Sequence, residues 1–204
     1  MAQPRLPDKD QQLVQIVDAA LADVARRSGE WLVCRVGCTQ CCVGVFAISQ
    51  LDGLRLRHGL AELERTDSAR ARAVRKRARE SVSRLAREFP GDAKTGILGD
   101  DEASLEHFED FGNDEACPVL SPETGECELY ASRPMTCRVF GPPIRSEGGI
   151  GVCELCYTDA SPEEIAACEL VTGTDELEEK LTRDAERNLG KPGKTTVAYA
   201  LAIE

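Results

Sequence analysis

Apolar residues recur at three- and four-residue intervals over residues 10–27, where Leu13, Ile16, Val17, Ala20, Leu21 and Val24 form one stripe. That period predicts an amphipathic helix. Asp8 or Asp10 is placed to cap its start, and Gly29 follows its end. Ser49 reads as the cap of a second helix that runs to about His58, with Gly59 as its stop. A longer helix over 67–88 carries Val74, Ala78, Val82, Leu85 and Phe89 on one side, and Pro90-Gly91 ends it.

Between Gly91 and Cys117 the periodicity fades, and only a short helix near Leu105–Phe111 is expected. Two strand-like runs follow, Cys117–Leu120 and Cys127–Tyr130, joined by the turn-forming Ser121–Glu126. Ser132 and Pro134 suggest a helical turn that presents Cys137. Ser161-Pro162-Glu163-Glu164 is a strong helix start, with a cap, a proline and a reciprocal glutamate. A helix over 175–188 precedes an apolar tail, 195–203, that suits a strand or a helical turn. The expected fold is mainly α with a small irregular or two-stranded element. It is read as a compact single domain, 1–204, organised around a cysteine metal centre. Its core is 33–157, with packing helices in 1–30 and 161–190.

Aromatic residues are only 4% of the chain, so a core of Leu, Val, Ala and Ile invites a staple. Ten cysteines can supply it. No stretch approaches a membrane span, and the polar start, Met1–Asp10, lacks a signal-peptide core. The expected location is therefore the cytoplasm, where thiols stay reduced and clustered cysteines bind metal. A disulfide framework is the reading an exported protein would require. The net charge of −11 argues against a surface that grips nucleic acid or an anionic membrane.

Four cysteines fall within nine residues: Cys34, Cys38, Cys41 and Cys42. Cys117, Cys127 and Cys137 follow at even intervals, then the pair Cys153 and Cys156. A two-residue gap, as in Cys38/Cys41 and Cys153/Cys156, turns both sulfurs onto one metal. Adjacent Cys41 and Cys42 are expected to diverge and serve different metals or different irons. Thiolates suit zinc and iron–sulfur centres alike, so the cofactor is zinc or an iron–sulfur cluster, with a slight lean to the cluster. These nine cysteines are the candidate ligands; Cys168 reads as a core residue. Arg133 and Arg138 are placed to neutralise thiolates and donate hydrogen bonds to them. Tyr130 is placed to pack across the site. His58 and His107 are weaker ligand candidates beside so many sulfurs. The Cys34-x-x-x-Cys38-x-x-Cys41 spacing also occurs in radical S-adenosylmethionine enzymes, but the long strand–helix alternation of those enzymes is missing.

The run Cys34…Cys38-x-x-Cys41-Cys42 is followed by Cys117-Pro-Val-Leu120, Cys127-Glu-Leu-Tyr130 and Arg133-Pro-Met-Thr-Cys137-Arg138. Together they resemble the YkgJ-type cysteine-cluster family of zinc- or iron-chelating proteins. Leu129 stands where isoleucine is common, and both Cys153 and Cys156 are present where one closing cysteine suffices. The resemblance implies a metal-binding protein that is structural, carries electrons or delivers metal. Flagellin lysine N-methylases carry a similar cysteine run, so an iron-dependent enzyme or accessory subunit for redox or protein modification is the alternative. A third reading rests on the basic helix. From Arg70 to Arg87 eight Arg or Lys face one acid, Glu80, and could dock nucleic acid or a protein partner. The blander reading pairs that helix with Gly99–Tyr130, which holds eleven acids and no Lys or Arg.

Overall fold

The computed structural model describes residues 5–35, 37–146 and 148–203. Residues 1–4, 36, 147 and 204 of the expected domain, including the first part of the polar start, lie outside the described residues. About 52% of the chain is helical, and the sheets are all two-stranded. In chain order the elements are α1 (Asp10–Ser28), β1 (Ala47–Ile48), α2 (Gln50–Thr66), α3 (Ser68–Leu85), β2 (Gly91–Asp92) and β3 (Ile97–Leu98). Then come α4 (Glu102–Glu109), α5 (Met135–Val139), β4 (Ile144–Ser146), β5 (Gly149–Gly151), α6 (Pro162–Ala167), α7 (Asp175–Leu189), β6 (Thr195–Thr196) and α8 (Val197–Ala202). Short 3-10 turns occupy Gly29–Trp31, Gln40–Cys42 and Tyr130–Ser132.

The chain gathers into two compact units. One contains Gly37–Pro134 and Thr182–Glu204 with the N-terminal end to Pro7; the other contains Asp8–Val36 and Met135–Leu181.

In the first unit α2, α3 and α8 pack together because their apolar faces have no other way out of water. Leu56, Leu60, Ala71, Val74, Ala78, Val119, Leu129, Val197, Ala200 and Leu201 form the core. Each fully buried Leu or Val there contributes about 1.5–3 kcal/mol. Cys117 and Cys127 lie against that core. β1 pairs antiparallel with β6, Ala47 opposite Thr196 and Ile48 opposite Thr195. A second apolar group joins Phe89, Phe111 and Tyr199, with the Phe89 and Tyr199 rings 4.3 Å apart.

Ser49 caps α2 as expected, with a reciprocal bond to Asp52. The helix does not stop at Gly59, however; it continues to Thr66. A Cβ at Gly59 would lie 2.4 Å from Ser132 Oγ and 2.5 Å from Ser132 Cβ. That glycine lets the Tyr130–Ser132 turn approach, and it ends nothing. The unexpected β2–β3 hairpin is closed by Asp92, whose carboxylate accepts bonds from Lys94 N–H and the Thr95 hydroxyl. The short helix after it begins earlier than expected, at Glu102, because Asp101 caps it through Ser104 N–H.

In the second unit α1 buries Leu13, Val17 and Val24, while Ile16 is 38% exposed, a narrower stripe than the period implied. Lys9, not Asp8 or Asp10, takes the cap position. Arg138 Nη1 of α5 donates to both carboxylate oxygens of Asp18 of α1, at 2.9 and 3.2 Å. β4 and β5 form a hairpin. Ser161 and Glu164 form the expected capping box, with Pro162 in the first turn, but α6 is only six residues long.

Candidate metal centre

None of the ten cysteines is joined in a disulfide. They divide five to a unit: Cys38, Cys41, Cys42, Cys117 and Cys127 in the first, and Cys34, Cys137, Cys153, Cys156 and Cys168 in the second.

In the first unit the Gln40–Cys42 turn brings the opening run to the later cysteines. Cys117 N–H donates to the carbonyl of Cys42 at 2.8 Å, and Gly44 N–H to that of Glu115 at 2.9 Å. Cys117 and Cys127 open matching turns, closed by Leu120 N–H on the Cys117 carbonyl at 3.0 Å and Tyr130 N–H on the Cys127 carbonyl at 3.3 Å. An antiparallel bridge joins Leu120 to Cys127. In each turn the amide two residues on, Val119 or Leu129, is aimed at the sulfur. Such donors favour the thiolate.

The electrostatics tie four sulfurs together. The Cys42 thiol donates to Cys41 and holds its thiol down at about 6, against opposing burial and with help from the Arg133 charge. Cys42 is driven up by that same bond, by burial, and by the fields of Cys41, Cys117 and Cys127. The adjacent pair therefore converges, contrary to the expectation that their side chains diverge. Burial pushes Cys117 up to about 12, the Val119 and Leu120 amides pulling the other way. Burial also raises Cys127, with the Leu129 amide and Arg133 opposing. Arg133 thus acts on two sulfurs of the group. Its guanidinium also lies 3.9 Å over the Tyr130 ring, which is half-exposed. Cys38 sits half-buried three residues before Cys41. His58 and His107 are exposed on α2 and α4.

The basic helix α3 holds this segment in place. Arg77 donates to Glu128 and, through Nε, to the Pro118 carbonyl at 2.9 Å; Arg70 reaches Glu128 at 3.1 Å. Arg84 grips Glu115 at 2.6 Å. Arg70, Arg77 and Arg84 stand seven residues apart, on one face of the helix. Their acidic partners lie within two residues of Cys117 or Cys127.

In the second unit Cys34 and Cys156 bring their sulfurs to 3.8 Å. Cys156 N–H closes a turn on the Cys153 carbonyl at 2.8 Å. Cys153, Cys156, Tyr157 and Cys168 are buried together, with Trp31, Leu32 and Ile165 around them. Cys34 thus meets Cys156 of the closing pair. Cys137 is half-buried on α5. Arg138 is buried and pairs with exposed Asp18.

Among the described residues, no group of three or more His, Cys, Asp or Glu side chains is arranged to hold a metal ion as it stands. The donor chemistry fits one nonetheless: the sulfurs are soft donors outside any disulfide and are served by amide and guanidinium groups.

A mostly helical scaffold that carries ten cysteines from widely separated stretches defines a class of cysteine-rich helical protein. Residues 33–156 fit the CxxCxxCC model, described as a "Putative zinc- or iron-chelating domain", and the chain belongs to that family. No curated protein and no solved structure matches the chain significantly.

Proposed function

We propose that this chain is a metal-binding protein whose main centre is formed by Cys41, Cys42, Cys117 and Cys127, with Arg133 balancing their charge. The observation that carries the reading is the mutual field of these four sulfurs, together with backbone amides aimed at two of them. Four thiolates satisfy a tetrahedral ion completely. Convergence of Cys41 and Cys42 supports a single ion, zinc or iron, over a cluster in which neighbouring sulfurs bind different irons. The ligands draw together as the metal displaces their protons.

A closed, four-sulfur centre suits a structural, electron-carrying or metal-delivering role. The cavity beside Cys117, lined also by Phe46, Ser81 and Val197, has about 20 Å³, room for one water and not for a substrate. The arginines of α3 that face this segment are spent on Glu128 and Glu115, which favours internal pairing over nucleic-acid binding. Cysteines outside disulfides suit the reducing cytoplasm.

Anaerobic purification followed by metal analysis and an absorption spectrum tests this. Colourless protein with bound zinc, or iron without sulfide, supports a single-ion centre. Brown protein with acid-labile sulfide and absorption near 400 nm would replace it with a cluster.

A further inference from the structure

We infer that Cys34 and Cys156 of the second unit form a redox-active dithiol that reduces disulfides, with Cys34 as the attacking sulfur and Cys156 as the resolving one. This activity is separate from metal binding at Cys41, Cys42, Cys117 and Cys127 and does not depend on it.

The two sulfurs touch, yet they differ in access. Cys34 Sγ and Cys156 Sγ lie 3.8 Å apart, in van der Waals contact. A disulfide bond is about 2 Å long, so an approach of about 2 Å joins them. Cys34 is exposed, whereas Cys156 is only 2% exposed. Access decides which thiol an incoming disulfide meets first. Cys34 is the one within reach, and Cys156 is shielded directly behind it.

The fold holds this pair together from three stretches of chain. Gly141 has φ +120°, and a Cβ there would lie 2.5 Å from Cys34 Sγ, so glycine leaves the seat that the sulfur fills. The Gly141 carbonyl accepts from Cys153 N–H at 3.3 Å, which ties that seat to the turn bearing Cys156. Tyr157, next to Cys156, holds φ 60°, the one left-handed non-glycine backbone among the described residues. Its hydroxyl bonds Ser28 at the end of α1, and its N–H donates to the Trp31 carbonyl at 3.0 Å. Strain of this kind persists only where surrounding contacts over-determine it. Here those contacts fasten the stretch leading into Cys34 to the Cys156 turn. A second sulfur fixed this close makes the resolving step intramolecular and fast.

The exchange needs only the two sulfurs and the incoming disulfide. Cys34 releases its proton to solvent, and its thiolate attacks one sulfur of that disulfide. The incoming S–S bond breaks, and the first thiolate leaves and takes up a proton. Cys156 then loses its proton and attacks Cys34 Sγ, expelling the second thiolate, which is protonated in turn. Two electrons pass from the pair to the substrate: one disulfide becomes two thiols, and the 34–156 bond remains. A low-molecular-weight dithiol restores the pair by the same steps in reverse.

The experiment treats the reduced full chain with oxidised glutathione under anaerobic conditions, quenches in acid, alkylates and maps every cysteine by tandem mass spectrometry. A disulfide-linked peptide dimer is run in parallel, and the substrate reduced faster tells whether small-molecule or protein disulfides are the source. Cys34 should be joined to Cys156, and dithiothreitol should restore both thiols. C156S should retain glutathione on Cys34 roughly tenfold more than the unaltered chain, because resolution is lost. C153S should resolve as the unaltered chain does. Circular dichroism reports that the variants fold, and the map of the unaltered chain needs no variant. Cys41, Cys42, Cys117 and Cys127 are scored separately in the same map, so the fate of the main centre is read apart from that of the pair. Reduction of neither substrate, a mixed disulfide that persists on Cys34 of the unaltered chain, or a bond from Cys34 to any sulfur other than Cys156 would overturn the proposal.

Discussion

Replacing Arg77 by methionine keeps the apolar stem and removes the cation that ties α3 to both cysteine turns. Glu128, beside Cys127, has a side chain only 6% exposed and faces Arg77 and Arg70. Arg77 is itself 25% exposed and also holds the Pro118 carbonyl, beside Cys117. Hydrogen bonds to charged groups contribute about 1.5–3 kcal/mol, and breaking a fully buried pair costs about 3–5. Arg70 remains to neutralise Glu128, and both arginines are partly wet, so the lower range applies. Arg77→Met should cost about 2–3 kcal/mol in urea unfolding of the metal-free chain. A cycle with Glu128→Gln should give a coupling of about 1–2 kcal/mol, well beyond the scatter of independent sites. Exposed Arg79→Met on the same helix should stay within about 0.5 kcal/mol. A cost for Arg77→Met no larger than that of Arg79→Met, or strict additivity with Glu128→Gln, would refute the clamp.

Gly59→Ala should gain about 1 kcal/mol of helix propensity yet destabilise overall by about 1–2 kcal/mol, because the new methyl meets Ser132. Ser132→Gly in the same chain should recover most of that loss in thermal or urea unfolding. Ser49→Ala should cost about 1–2 kcal/mol by the same measurement, since it removes the hydroxyl that caps α2 and pairs with buried Asp52.

The elements legible in the sequence were those set by local chemistry. The stripe of α1 and the caps at Ser49 and Ser161 need only neighbours in sequence to form. Gly59 was misread because its role is tertiary: it admits Ser132, over seventy positions away, and no local rule carries that. The hairpin closed by Asp92 and Thr95 had a signal, an aspartate three residues before a threonine and a following glycine, but its strands are two residues each and have no period to detect. The internal use of the basic helix was visible as a charge contrast with 99–130, although which arginines meet which acids was not. The cysteine grouping was the least legible. Spacing joins Cys34 to Cys38, whereas Tyr157, Ser28 and Gly141 join it to Cys156. Such contacts become visible only when the chain is folded.

X-ray absorption at the metal edge of the purified full-length protein tests most directly whether single ions sit among sulfurs. A shell of about four sulfurs near 2.3 Å without a neighbouring metal is the expected result. A strong metal–metal distance, or a shell dominated by oxygen and nitrogen, would contradict it.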